Sequence, residues 1–545
     1  YNDTPQIWSS DLLGIHKVSI MFAILFVTAL SLILLFIYHV STRRSQYWAK
    51  KNIPYHRPAP VFGNFSEYIL LKKYVGQLTK ELCLKFPNEA CFGAFYGTEP
   101  TLIVQDPDLI KVVMTKDFYF FSGREISKYT HREMLIQNLF FSSGDKWKVM
   151  RQNLTPLFSS AKMKNMFHLI EKCSHVFENM LDEQTKVSKE IEVRTLMARF
   201  TMDCVGSCAF GIDTNTMDKK DDNPFKTIGD VIFDTASFRA FKNIARAIWP
   251  AIFYGLGFKS FPSEVEAFFY QLLTGIFEGR QYKPTSRNDF VDLVLKLKNN
   301  KSVTGDSLTN LKSNSGTKVN IEIDDDVLVS QCFIFFAAGY ETSATTSSFT
   351  MYELAKNPEA QKRVLEEVDA YLLRHDNVLK YECVAEMPYL EACIDEALRL
   401  YPVLGVLTRE VAEDYTFSSG LKVEKGLRVH LPVYHLHKNP DYFPDPEEFQ
   451  PGRFYGEEKR NVKPYTYMPF GEGPRICIGM RFAKMQMIAG LITLLKKYRL
   501  ELAEDMKSSV ELEPRAIITQ PIGGINLKFI EREGWEQRVL KLPKL

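Results

Sequence analysis

From Val18 to Val40 the chain runs VSIMFAILFVTALSLILLFIYHV, 23 residues without an aspartate, glutamate, lysine or arginine. As a helix this run is about 34 Å long, enough to cross the hydrocarbon of a bilayer. A cleaved leader has a shorter apolar stretch, usually ~7 to 15 residues, so the run reads as a retained anchor. Arg43, Arg44, Lys50 and Lys51 follow it closely and Lys17 precedes it, which places the following chain on the cytosolic side. On this reading the chain has a short lumenal segment 1–17, an anchor 18–40, a basic, proline-rich linker 41–64 and a body 65–545. Pro54, Pro58 and Pro60 stiffen the linker and Gly63 permits a turn. The chain opens on Tyr1, not methionine, which implies residues upstream of it.

Beyond the linker the apolar positions recur mostly with helical spacing. Amphipathic stretches cover Asp145 to Glu178, Ser188 to Phe210, Ser263 to Phe277, Asp326 to Ala355, Ala360 to Leu372 and Met387 to Leu400. Strand-like alternation is confined to Thr98–Asp106 and Tyr415–Val433. The pattern predicts a large, mainly α body with small sheets at its edge. No segment repeats with a period of 20 to 50 residues, which removes solenoids and propellers. Asn299–Asn320 is polar, with Gly305 and Gly316, and reads as a loop. Phe233–Phe269 is rich in Phe, Trp and Ile with interspersed cations. Ordinary core is its simplest meaning, and a second face dipping into lipid is the alternative.

Composition adds mainly exclusions. The 545 residues are 45% hydrophobic, with 68 basic and 66 acidic side chains and a net charge of +2, so nothing in the totals points to bulk nucleic-acid binding. Nine cysteines, an odd number without CxxC spacing or a histidine cluster, argue against a disulfide framework and a structural zinc site. Cys204 and Cys208 read as buried thiols on one helix face.

The candidate chemistry centres on FGEGPRICIG, Phe470 to Gly479. It fails as a dinucleotide loop, because Ile476 stands where GxGxxG needs its third glycine. Around Cys477 it has another logic: Gly473 and Pro474 set a loop conformation, Gly479 lets backbone approach closely, and the run from Met480 forms a helix with its positive end beside the sulfur. That end, loop N–H groups and Arg475 would stabilise a thiolate. Such a thiolate is a nucleophile or a metal ligand, and no histidine base stands nearby in the sequence.

The stretch resembles, position by position, the FxxGxRxCxG loop of the cytochrome P-450 family, the heme-thiolate monooxygenases. In YLEACIDEALRLYP, Glu396 and Arg399 lie on one helix face; alone this is a surface ion pair worth about 0.5 kcal/mol. It resembles the family's ExxR pair, which interlocks with the arginine of a Pro-x-Arg-Phe segment, here Pro451 to Phe454. Gly452 stands where the family usually has an acidic residue, and Arg453 is in place. The resemblance makes Glu396, Arg399 and Arg453 a buried triad holding the cysteine loop under the heme.

AAGYETS, Ala337 to Ser343, follows the acidic run Asp324 to Asp326 that favours a helix start. Its glycine costs roughly 1 kcal/mol mid-helix, which a tight helix crossing at Ala338 and Gly339, or a local widening that makes room for O2, would explain. The segment resembles the family's (A/G)GxxT stretch, with Glu341 and Thr342 as an acid–alcohol pair for proton delivery. In DKWKVMRQNLTPLF, Trp147 and Arg151 share a helix face. Alone that means a stacked pair; it resembles the family's WxxxR, which binds a heme propionate. Arg475, and Arg409 of LTREV, stand at further propionate positions, and Phe470 opens the cysteine loop. His437 lies in a matching segment and reads as structural.

Anchor, linker and motifs follow the family's order, and in texture MPFGEGPRICIGMRFAKMQ is most like the microsomal branch that includes insect detoxifying enzymes. The resemblance therefore implies a mainly α P-450 fold with small sheets and one transmembrane helix. It implies a heme b ligated by Cys477, and an enzyme of the endoplasmic reticulum that inserts one oxygen atom from O2 into small apolar substrates, xenobiotics or endogenous lipophilic compounds. Lacking a dinucleotide loop, the chain would take electrons from NADPH cytochrome P-450 reductase, with cytochrome b5 as a second donor, on a basic face for which Lys146, Lys148 and Lys484 are candidates. A heme sensor without turnover, and a heme-thiolate isomerase or dehydratase acting on hydroperoxides, are the rival readings. Glu341 and Thr342 weigh against both. The substrate pocket is expected from the region after Phe118, Phe210 to Phe269, the helix around Phe336, and Val403 to Leu407.

Overall fold

In a computed structural model that describes residues 8–124, 127–218, 222–285, 289–313 and 315–542, the apolar run lies within one helix, α1 (Trp8–Thr42). Its side chains from Ser19 to Val40 are exposed, as a lipid-facing helix requires. The first seven residues of the expected lumenal segment lie outside the described residues. The linker is docked onto the body: Trp48 is fully buried, its ring sits where a Cβ on Gly93 would fall, and its indole N–H donates to Ala94 O at 2.9 Å. Gly93 N–H in turn donates to Pro54 O at 2.8 Å. The prolines therefore fix a packed strap rather than a spacer.

The strap crosses the hairpin β1 (Cys91–Tyr96) and β2 (Glu99–Val104). After it come helices α2 (Gly144–Leu154) and α3 (Ser160–Val187), strand β3 (Glu190–Glu192), α4 (Val193–Val205), α5 (Ser237–Ile248), α6 (Pro250–Gly255) and α7 (Ser263–Gly279). Two expected helices thus break. Pro156 removes a donor, and residues Thr155–Phe158 tighten into a 3-10 turn between α2 and α3. Glu190–Glu192 pairs with a late strand before Glu192 caps α4 through Arg194 N–H and Thr195 N–H.

The expected loop at 299–320 is instead a hairpin, β4 (Ser302–Asp306) with β5 (Lys318–Glu322). It lies flat on α2: Gln152 donates to Asp306 Oδ2 at 2.5 Å and accepts from its N–H at 2.8 Å. A Cβ on Gly305 would meet Gln152 at 2.7 Å. Its pairing is held by backbone and by this contact, so polar composition hid it.

The long core helix α8 (Asp325–Lys356) begins at Asp324, whose carboxylate accepts from Val327 N–H at 2.8 Å. Long and apolar enough to span a membrane, it is largely buried in the body instead. α9 (Pro358–Arg374) and α10 (Pro388–Leu400) match their expected spans. Strands β6 (Leu407–Glu410), β7 (Tyr415–Thr416), β8 (Lys422–Val423) and β9 (Arg428–Leu431) precede the last long helix, α11 (Met480–Leu495). β10 (Tyr498–Leu502) and β11 (Asn526–Glu531) follow. The larger sheet has the order β1-β2-β9-β6, with only β2 and β9 parallel, and a second sheet is β10-β11-β3. One apolar core joins α3, α4, α8, α9, α10 and α11, so helix packing carries most of the body.

α10 carries the buried triad. Glu396 and Arg399 are both wholly buried and paired twice at 2.8 Å. Arg399 also donates to His437 O at 2.8 Å, Pro446 O at 2.7 Å and Glu448 O at 2.9 Å, and Gln450 N–H donates to Glu396 at 2.9 Å. Arg453 completes it with Nε 3.5 Å from Glu396. Gly452 faces open space, so the departure there leaves the triad intact.

Removing one member of a buried pair strands the other, at about 3–5 kcal/mol. Arg399→Ala is expected to lower the melting temperature sharply or yield only aggregate, and Arg399→Lys to restore little, because an ammonium cannot reproduce the planar fork. Wild-type melting of either variant would contradict this account.

Candidate functional site

A cavity of about 300 Å³ lies between α8 on one side and the cysteine loop with the start of α11 on the other. The loop's shape requires its glycines. Gly471 and Gly473 have φ of +73° and +69°, and a Cβ on Gly473 would fall 1.9 Å from Met114 O. Cys477 N–H then donates to Phe470 O at 2.8 Å, closing the loop. Of the nine cysteines Cys477 alone is exposed, and it is exposed to this cavity. Deep burial within the chain pushes its thiol above the usual cysteine value, while Gly479 N–H and the Arg151 guanidinium oppose that shift. Arg475 is not among the groups that oppose the shift, contrary to the sequence expectation; its guanidinium is committed to backbone carbonyls.

Arg475 is held by Ser122 O at 2.9 Å and Ser142 O at 2.6 Å, with its guanidinium 4.4 Å from the Trp147 ring. The stacked pair on Trp147 is thus made with Arg475 rather than Arg151. Arg151 reaches from α2 to the loop and donates to Ile476 O at 2.8 Å. Arg409, on β6, is fully buried without an acidic partner: it donates to Thr408 O at 2.9 Å, its Nε has no partner, and burial pulls its pKa down to about 10. Arg124, which no sequence motif marked, joins them in the lining. Burial and the positive charges of Arg124, Arg409 and Arg151 hold the Arg475 guanidinium well below its usual value. Among the described residues the one carboxylate in that lining, Asp289, is bound by Arg280 at 2.8 Å.

Arg151, Arg409 and Arg475 converge on this cavity held by backbone carbonyls and, among the described residues, without an acidic partner, which favours an anionic occupant. Gly471 and Gly479 line the same wall, and a Cβ on Gly479 would have only Phe158 near it, at 4.0 Å. A flat group can therefore lie against bare backbone there. An accessible sulfur, several arginines and glycine-lined walls fit an iron porphyrin with its two propionates.

Across the cavity, Ala338, Gly339, Thr342 and Ser343 of α8 form the lining, with Thr342 Oγ1 donating to Ala338 O at 2.7 Å. α8 is helical without interruption, so Gly339 marks a crossing rather than a widening: a Cβ on it would fall 2.8 Å from Val205 of α4. Glu341 does not join Thr342. One residue further round the helix, it is buried and ion-paired with Arg194 of α4, with Gln520 donating to it at 3.3 Å. The expected acid–alcohol pair is therefore not brought together. Burial pushes the Glu341 carboxyl up, against the pull of Arg194.

The remaining wall is apolar, with Leu139, Phe140, Phe335, Val403, Leu404 and Leu407 among its residues. Phe336 faces away, onto Phe225 and Phe269, and among the described residues none of 210–269 is in the lining, where Val205, Cys208 and Ala209 stand instead. His437 is structural, as expected: burial and Arg399 lower its pKa to about 3, and its neutral Nε2 accepts from Met468 N–H at 2.9 Å, two residues before the cysteine loop.

The family profile described as Cytochrome P450 matches residues 53–529. The chain is 36% identical over 516 residues to cytochrome P450 6B2 of Helicoverpa armigera, covering 94% of this chain and 99% of the relative. It is 34% identical over 500 residues to cytochrome P450 6B1 of Papilio polyxenes, covering 91% and 97%. Cytochrome P450 6k1 of Blattella germanica is 35% identical over 494 residues, covering 90% and 93%. A fold, a cavity and a near-complete alignment agree: the chain belongs to the cytochrome P450 family and is a heme-thiolate monooxygenase akin to those insect enzymes.

Proposed function

We propose that the Cys477 thiolate would hold the iron of heme b and that the enzyme oxygenates small apolar compounds, xenobiotic or endogenous, in the endoplasmic reticulum membrane. The observation that carries this reading is the single accessible thiol on a cavity ringed by arginines and otherwise apolar. When bound, the heme supplies the redox activation of O2, and a cysteine thiolate favours O–O cleavage by donating electron density. Trp147, Arg151, Arg409, Arg475 and Arg124 would hold the propionates, and Phe470 closes the loop around the sulfur. Ala338 and Gly339 keep the opposite wall low, so that a small molecule fits beside Thr342.

Thr342 is the proton-handling residue of this proposal. Its hydroxyl can turn from Ala338 O toward the cavity and donate there, while a water resupplies Oγ1. Glu341, locked to Arg194, acts at most through a rearrangement of that pair, so the argument against an isomerase or a sensor rests on Thr342. Microsomal members of the family draw electrons from a reductase. NADPH cytochrome P-450 reductase and cytochrome b5 are the donors proposed here.

The docking lysines need revision. Lys484 is taken by Glu391 at 2.5 Å and Asp395 at 3.3 Å, and Lys146 donates to Gln137 at 3.1 Å. Lys148 is half-buried, whereas Arg481, in the first turn of α11, is exposed. Arg481 is the better cation for a partner at the Cys477 side.

The apolar helix α1 supports membrane anchoring, and the alternative reading of Phe233–Phe269 has support too. Phe238, Phe241, Ile252, Leu256 and Phe258 are exposed on α5, α6 and the turn that follows, a face suited to the headgroup boundary.

Cys477→Ser is expected to abolish the thiolate-type carbon monoxide spectrum, and retention of that spectrum would remove Cys477 as ligand. Thr342→Ala should lower product formation by about tenfold or more, with the lost electrons recovered as hydrogen peroxide; unchanged coupling would leave Thr342 without its role. A chain lacking residues 1–40 should still float with lipid vesicles, and Phe238→Asp with Leu256→Asp should release it. A truncated chain that stays wholly in the soluble fraction would show that α1 is the sole membrane contact.

A further inference from the structure

Gln486 lies on α11, nine residues beyond Cys477, and is wholly buried. Its amide crosses from the helix that follows the cysteine loop to the helix on the opposite side of the cavity. Nε2 donates to Gly339 O at 2.8 Å and to Ser343 Oγ at 2.7 Å. Those two acceptors are one helical turn apart, and Gly339, Thr342 and Ser343 all line the cavity. The orientation of the amide is fixed by chemistry, because a carbonyl oxygen can only accept and so must face the NH2 end. Oε1 is buried without a partner, so both hydrogen bonds of this side chain are spent on α8.

On its other side the same turn is pressed onto α4, where a Cβ on Gly339 would fall 2.8 Å from Val205. The turn is therefore gripped from two directions, by packing on α4 and by a two-pronged amide from α11. Rotation of α8 about its axis would swing the Thr342 hydroxyl along the cavity wall; Gln486 opposes such rotation from the α11 side, while Thr201, donating to Tyr340 O at 3.0 Å, and the Arg194–Glu341 ion pair oppose it from the α4 side.

We propose that Gln486 is a positioning residue for oxygen activation: it sets the cavity-facing turn of α8 against the helix that carries the cysteine loop. The inference rests on the role proposed for Thr342. The two acceptors explain the residue type, since only a side chain with two donors on one atom at this reach serves both. A glutamate would keep the shape and bring a carboxylate against a carbonyl oxygen; a leucine would keep the volume and offer no donor.

The test uses the full chain loaded with heme and combined with reductase in vesicles. Its substrate is the apolar compound that gives the strongest shift of the heme spectrum in a binding screen. For Gln486→Glu and Gln486→Leu, the carbon monoxide spectrum and the midpoint of the substrate shift should match wild type. Hydrogen peroxide released per NADPH oxidised should rise at least about threefold, as a small misplacement of a reacting group predicts. Thr342→Ala in the same assay separates the two ideas. Wild-type coupling in both Gln486 variants beside an uncoupled Thr342→Ala would sink this inference alone, whereas a coupled Thr342→Ala would remove the reading beneath it. Failure of both Gln486 variants to load heme would make the residue a fold determinant and overturn the positioning role.

Discussion

The interaction on which the cysteine side of the molecule depends is a carboxylate and a guanidinium taken wholly out of water. Burying such a pair is costly unless every hydrogen-bonding position is filled. In Arg399 all five N–H positions are used: two by Glu396 and three by the carbonyls of His437, Pro446 and Glu448. These three carbonyls belong to a stretch with little regular structure, which α10 thereby holds without a sheet or helix. The constraint then passes on. The backbone of His437 is pinned by Arg399, its neutral ring receives Met468 N–H, and two residues later the loop that closes on Cys477 begins. A charged pair far from any chemistry sets where the sulfur can be.

The cavity uses the opposite arrangement. Around Glu396 the charges meet opposite charge inside the protein; around the cavity, Arg151, Arg409 and Arg475 converge while Asp289, also in the lining, is committed to Arg280. The protein holds this unbalanced charge with backbone carbonyls and an aromatic face: Thr408 O, Ile476 O, Ser122 O, Ser142 O and the Trp147 ring. Such partners are weaker for a guanidinium than a carboxylate is. They orient the arginines and leave them able to gain from an anionic group, as the proposed propionate contacts require.

What could be read in the sequence follows from how local each signal is. α8 and α10 were legible within a residue or two and the anchor only at its C-terminal end, since α1 begins at Trp8, ten residues before the expected start; long apolar periodicity and an acidic cap are written in consecutive residues. The loop around Cys477 was legible because its glycines answer to backbone geometry, and Gly473 proved indispensable where Met114 O approaches. The hairpin at 302–322 was not legible, since a flat contact between Gly305 and Gln152 decides it across a separation of 153 residues in the chain. Nor was the direction of Glu341 or the stacking partner of Trp147, because side chains sharing a motif need not share a surface. Arg124 and Gln486 left no signal at all: each matters through partners brought up by the fold.

Glu341 and Thr342 show how much depends on one step round a helix. Adjacent residues on a helix point about 100° apart, so a helix with a cavity on one side and α4 on the other sends the two side chains to different places. Thr342 keeps its hydroxyl satisfied within α8 by donating to Ala338 O, which lets a polar group face an apolar cavity without a stranded donor. Glu341, facing α4, needs Arg194 to be buried there at all. The glycine between them and Ala338 fits the same logic: the roughly 1 kcal/mol it costs in a helix is offset by the close approach of Val205. The segment is thus shaped as much by α4 behind it as by the cavity in front, and α4 has a part in the site although only its final residue touches the cavity.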